Sequence, residues 1–244
     1  MSGNMYEDRT YRRSVKAGGL FPFTVVVKET DLFILADRDL AELAASVVIK
    51  HRHRLETYIG MHPDFLTSLV PLNAVTGAPE VVTRMADAAR AAGVGPMAAV
   101  AGAFSELVGE ALLKESSEVI VENGGDIFIS TKTERVAGIY AGDSPLSGRV
   151  GVRIRPEDSP IGVCTSSGRV GHSLSLGLAH AACVLSPSTA LADAAATAVG
   201  NLVKGPDDIE RALSFAMDIP GVTGVVVIEA GRIGAMGKVE LTSV

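Results

Sequence analysis

The stretch GVCTSSGRVGHSLSLGLAHAACVLSPSTALADAAATAVGN, residues 162–201, sets the reading of the whole chain. It opens with a β-branched run into a Thr-Ser-Ser-Gly turn and closes with a helix of almost wholly small residues. On that helix Asp193, Thr197 and Asn201 recur at i, i+4 and i+8, so they form one file on one face. The other positions are Ala190, Leu191, Ala192, Ala194, Ala195, Ala196, Ala198, Val199 and Gly200, which suits close burial. A carboxylate in such surroundings is costly unless it is hydrogen-bonded, paired or ligating a cation. A bound ion or polar ligand is one explanation for the file. An aspartate capping a neighbouring backbone turn is the other.

Working outward, 244 residues suffice for one large domain or two small ones, and no internal repeat or linker forces a split. We therefore expect residues 1–244 to form a single domain, with 1–20 as an N-terminal arm. The chain is 47% hydrophobic with only 5% aromatics, so its core is built from small and β-branched side chains. A net charge of −6 gives no reason to expect nucleic acid as a partner. Cys164 and Cys183 belong to no CxxC pair and read as buried thiols in a reducing compartment. No secretory h-region is visible, and the apolar stretch 93–113 is interrupted by Ser105, Glu106 and Glu110, so no membrane span is expected. A cytoplasmic protein follows.

Residues 23–29 and 32–36 read as a β-hairpin about a Thr30-Asp31 turn. Asp37 or Asp39 can then cap a helix whose apolar stripe runs Leu40, Leu43, Ala44, Val47, Val48, His51, Leu55, Ile59. His51 on that stripe reads as a core or interface histidine, and the stripe's exposed apolar positions make a homodimer plausible. Residues 80–92 form a second amphipathic helix. A Gly-Val-Gly-Pro turn at 93–96 leads into a third, with small residues at its start. That start suits either an anion on free amides or tight helix packing around Gly102. VIVENGGDIFIS, 119–130, is a hairpin centred on Asn-Gly, in which Asp126 serves either the turn or a ligand. Strands at 135–141, 149–154, 161–165 and 224–241 complete an α+β chain of mainly antiparallel sheets packed against helices.

Three polar, glycine-containing pieces carry the candidate chemistry: NGGD at 123–126, TSSG at 165–168, and the Asp193/Thr197 pair. The turns offer hydroxyls and amides to phosphate or ribose oxygens. A carboxylate and a hydroxyl one helical turn apart suit a hard cation such as Mg²⁺. Ser166 or Ser167 with His172 as base gives a hydrolase reading, although no orienting aspartate completes a triad. His172 equally suits a structural hydrogen bond beside the turn.

GVGPMAAVAG, NGGDI, TSSG and ADAAATA, in that order across residues 90–204, resemble the ApbE-like superfamily, and above all a shorter branch of it. Its best-known members are Mg²⁺-dependent FAD:protein FMN transferases. The resemblance implies an ApbE-like fold, with Mg²⁺ on Asp193, Thr197 and the backbone carbonyl of Val100. It implies a site for FAD, FMN or another nucleotide lined by Asn123, Gly124, Gly125, Asp126, Thr165, Ser166, Ser167 and Gly168. Asp193 and His172 would take the catalytic roles. Two departures stand out. Ala101-Gly102 replaces the Lys-Gly step of the transferases, and GHSLSLGLAHA stands where they carry His-x-x-Asp-Pro-x-Thr-Gly. Flavin or pyrophosphate chemistry is one functional reading, and non-catalytic binding of a flavin, nucleotide or other anion is the alternative.

Overall fold

A computed structural model describes Arg12, residues 17–168 and residues 177–244. The chain begins with β1 (Phe21–Val27) and β2 (Thr30–Ala36), paired in antiparallel register from Phe21 opposite Ala36 to Val27 opposite Thr30. The turn is Lys28-Glu29 and not Thr30-Asp31. Lys28 takes a positive φ of 54°, a conformation sequence rules rarely assign to lysine.

Helix α1 (Ala41–Met61) buries Ala44, Val48, His51 and Leu55 of the predicted stripe and Tyr58 besides, while Leu43, Val47 and Ile59 are half-buried. The carboxylate of Asp39 accepts from the Ala41 amide at 2.9 Å and Asp37 accepts from Ser117, so only Asp39 serves this helix. After a single turn, α2 (Asp64–Thr67), come α3 (Glu80–Ala92) and α4 (Val100–Leu112). Between them the Gly-Val-Gly-Pro turn leads into a 3-10 turn at Pro96–Ala99.

Strands β3 (Val119–Asn123) and β4 (Asp126–Ser130) form the NGGD hairpin. Asn123 lies opposite Asp126 and the two turn residues are Gly124 and Gly125, with φ of 67° and 103°. The centre is thus Gly-Gly, one residue later than an Asn-Gly reading places it. Two successive positive φ angles match the right-handed strand twist, and glycine adopts them without a Cβ penalty.

β5 (Arg135–Gly138) and β6 (Val150–Ile154) precede β7 (Ile161–Ser166) and β8 (Ala181–Ser186). Then follow α5 (Thr189–Leu202), α6 (Ile209–Asp218), β9 (Gly224–Glu229), β10 (Arg232–Gly237) and β11 (Leu241–Ser243). One sheet has the order β1-β2-β3-β4-β7-β8-β9-β10 and a second has β11-β6-β5. Every strand pairing among the described residues is antiparallel, as the α+β reading requires.

Strand alternation divides the core. Val121, Phe128, Cys164, Ala182, Val184, Val225 and Val227 face the helices. Ile129, Val163, Ala181, Cys183, Leu185, Val226 and Ile228 face the small sheet. Both cysteines are buried free thiols, as expected. Among the described residues no single helix is long and apolar enough to cross a membrane.

Candidate functional site

Antiparallel pairing carries β3, β4 and β7 to one rim of the large sheet. Asn123 is opposite Asp126, and Asp126 opposite Cys164, so the NGGD and TSSG segments lie side by side. Helix α5 packs across these strands and against α3 and α4. Its amino end is fixed by two caps. The Ser188 hydroxyl accepts from the Leu191 amide at 3.3 Å, and Glu106 of α4 accepts from the Ala190 amide at 2.9 Å. Arg84 of α3 holds the other Glu106 oxygen at 3.1 Å, which ties the three helices together.

On the body of α5, from Thr189 to Gly200, every residue is buried except Asp193 and Thr197, and Asn201 continues the half-buried line. The predicted file is therefore the edge that the helix presents to accessible space. Asp193 is anchored there: its Oδ2 accepts from the Gly102 amide at 2.8 Å, and the Ala101 amide also bonds to it. The α4 amino terminus thus holds an anion, and that anion is the protein's own carboxylate. Tight packing around Gly102 holds as well. A Cβ there would stand 2.3 Å from the Thr189 carbonyl oxygen and 2.7 Å from the Asp193 Cβ.

Asp126 lies deeper. It touches the Cys164 thiol and the Thr165 amide, while the Ser105 hydroxyl donates to its backbone carbonyl at 2.9 Å. Asn123 donates through Nδ2 to the Ala101 carbonyl at 3.2 Å, so hairpin and helix terminus are joined directly. Burial pushes Asp193 up to about 7, against the pull of the Gly102 and Ala101 amides. Asp126 is pushed well above the usual carboxylate range, first by burial and then by the Asp193 charge. Burial, followed by the two carboxylates, likewise raises the Cys164 thiol. Among the described residues it is the Gly102 and Ala101 backbone amides that hold the Asp193 carboxyl. Two acids so placed retain a proton between them or take up a cation.

The TSSG hydroxyls do not share one face. Thr165 bonds to Cys183 on the small-sheet side, while Ser166 is buried beneath Gly200 of α5 with no partner for its hydroxyl. Ser167 and Gly168 are half-buried at the strand end, and the Gly168 amide donates to the Ala179 carbonyl at 3.0 Å. Gly124 is exposed and Gly125 half-buried, and Val100 is the half-buried first residue of α4. His172 lies outside the described residues. His180 is buried, with Nδ1 2.6 Å from Glu229. The free amides at the start of α4 were foreseen as a place for an anion; Cys164 and Glu122 were not foreseen as site residues. Each joins the site through pairing between distant segments, which no local pattern announces.

Among the described residues no group of three or more His, Cys, Asp or Glu side chains is arranged to hold a metal. On α5 the Asp193 carboxylate and the Thr197 hydroxyl stand one helical turn apart.

A mixed antiparallel architecture with this rim defines an ApbE-type fold. The flavinyl transferase ApbE of Pseudomonas stutzeri superposes with a TM-score of 0.53 at 17% identity, covering 89% of this chain and 94% of that one. Flavin transferase ApbE from Vibrio cholerae gives 0.56 at 13%, covering 89% and 97%. At such identities the likeness is one of fold. The family model described as AbpE bacteria matches residues 12–229, and the chain belongs to that family. UPF0280 proteins are similar over nearly their whole length. That of Methanopyrus kandleri is 44% identical over 90% of this chain and 91% of its own. That of Methanosarcina acetivorans is 45% identical over 87% and 85%.

Proposed function

We propose that this protein binds a flavin nucleotide, FAD or FMN, or another pyrophosphate-bearing ligand at the sheet rim together with Mg²⁺, and transfers or cleaves the phosphoryl-linked part. The observation that carries this reading is the enclosed pair Asp126 and Asp193 where the NGGD and TSSG segments meet the start of α4. Asp193, with one oxygen held by the Gly102 amide, has its other oxygen for the cation. Thr197 adds a hydroxyl from the next turn, and Val100 its carbonyl. The ion, when bound, neutralises pyrophosphate charge and the charge growing on the leaving group. Asn123 fixes the start of α4 against the hairpin. Gly124, Gly125, Ser167 and Gly168 allow a ligand to approach the backbone closely. Thr165 holds Asp126 through its amide, Ser166 lines the site from beneath Gly200, and His172 is assigned as the base that activates an attacking hydroxyl.

The test is Mg²⁺-dependent turnover of FAD by the wild type and by Asp193→Ala. Turnover confined to the wild type is expected; equal turnover in both, or none in either, overturns the catalytic reading. Ala101 favours a second reading, binding without turnover. Its side chain stands at the start of α4 where the transferases carry a lysine, so a cation for the phosphates is lost there. Calorimetric titration with FAD, FMN and ATP, followed by analysis of the recovered ligand, separates the two. Intact ligand bound in a Mg²⁺-dependent manner selects the second.

A further inference from the structure

The NGGD hairpin is gripped from both faces of the sheet. On the helix side Asn123 and Asp126 are tied to α4, as described above. On the opposite side, where Ile120 points, both oxygens of Glu122 are engaged. Its Oε1 accepts from the Gly125 amide at 2.9 Å, and its Oε2 accepts from Arg12 Nε at 2.6 Å. In a two-residue turn the backbone bond joins the flanking residues, so the Gly125 amide lies outside the strand ladder. Glu122 supplies its partner.

Arg12 is itself held at several points. Its Nη1 donates to Asp31 Oδ1 at 2.8 Å, its Nη2 to the Asp31 carbonyl at 3.0 Å, and its guanidinium lies 5.9 Å from the Phe33 ring centre. The three charged side chains are only 12%, 9% and 9% exposed for Arg12, Asp31 and Glu122. Exposed ion pairs contribute little and fix no geometry, whereas an enclosed, forked one admits few arrangements. A residue 110 positions away in sequence thus reaches the back of the turn.

We infer that Arg12 is a positioning residue of the candidate site: through Glu122 it fixes the Gly124–Gly125 turn, and so the place of Asp126 at the rim. Its functional meaning rests on the reading above; the mechanical link does not. Without the guanidinium, Glu122 loses the bond that holds its Oε2, and its hold on the Gly125 amide loosens. A lysine retains the charge but cannot reach Glu122 and Asp31 in the same forked manner.

The test uses the full chain with Arg12→Met, Arg12→Lys and Glu122→Gln, read by amide hydrogen exchange and by FAD titration in Mg²⁺. Arg12→Met should speed exchange at Gly125 about tenfold relative to Val163 of β7, in line with loss of a hydrogen bond to a charged group. Arg12→Lys should fall between it and the wild type, and Glu122→Gln, which keeps the acceptor oxygen, should change Gly125 least. FAD affinity should fall in the same order. Unchanged exchange at Gly125, or an equal acceleration at Gly125 and Val163, overturns the inference. If Arg12→Met does not fold, Arg12→Lys carries the same comparison. A wild type that ignores FAD removes the proposed function, while Gly125 exchange still decides the link.

Discussion

Helices α1 and α5 cover the same face of the same sheet, yet they treat polar side chains in opposite ways. On α1 the polar residues other than the buried His51 lie towards water. Arg52 pairs with Glu29 and Glu56, and Glu56 with Lys28, all on the outer surface. On α5 the outer surface hardly exists, because nearly every position is buried. Apart from Thr189, buried at its start, its polar residues lie along an edge that meets open space, and the charged one is bonded to another helix's amides. A charge on an amphipathic helix is ordinary solvation. A charge on a helix of alanines has been retained against its desolvation cost, and that contrast marks the site.

The sharpest attempt to break the contrast adds Mg²⁺. Cation binding should raise the melting temperature of the wild type at pH 8, more than at pH 5.5, because metal and proton compete for Asp193. Asp193→Ala should abolish the rise, and Glu56→Ala on α1 should leave it intact. A rise that survives Asp193→Ala places the cation elsewhere.

Next in size is packing. Gly102→Ala should destabilise by about 2–3 kcal/mol, because its Cβ meets the α5 backbone and neither helix can yield freely. Gly60→Ala on α1 meets nothing within 4 Å and should stabilise by about 0.5–1 kcal/mol through helix propensity. Urea denaturation of both variants checks the pair; a common sign would erase the distinction.

The third test is pH. Burial lifts the Asp193 carboxyl from the ordinary aspartate value of 3.8 up to about 7 in the folded chain. Between those values the folded chain holds a proton that the unfolded chain has lost, so this group's contribution falls as pH rises through the window. Above it the contribution is flat. Without metal, Asp193→Asn should therefore gain on the wild type by about 1–2 kcal/mol between pH 5 and pH 8. Parallel stability curves would refute the assignment. The smallest effect belongs to α1: Arg52→Ala should cost under about 1 kcal/mol, as part-exposed pairs do.

Much of this was legible beforehand, for identifiable reasons. Helix 80–92 and the stripe of α1 follow from periodicity, and the file on α5 from spacing alone. The two hairpin turns were each misplaced by a residue or two. Lys28 accepts an unfavoured φ, and Asn123 belongs to the strand with the glycines carrying the turn. The bond from Gly102 to Asp193 spans 91 positions, and that from Arg12 to Glu122 spans 110. Such contacts arise only once strands pair and helices dock, so no window of sequence contains them. Composition signalled a buried polar file; topology alone named what surrounds it.

The glycines around α5 carry a further consequence. A Cβ at Gly162 would lie 2.5 Å from the Thr189 Cα, and one at Gly177 would lie 1.7 Å from the Gly200 carbonyl oxygen. With Gly102, these make a sleeve around the helix with no spare volume at either end. For anyone reshaping this protein to accept a different ligand, the sleeve divides the molecule into fixed and free parts. Randomised libraries belong at Ser167 and at rim positions outside the Gly124–Gly125 turn. Diversity at 102, 162 or 177 would be spent on chains that never assemble the site.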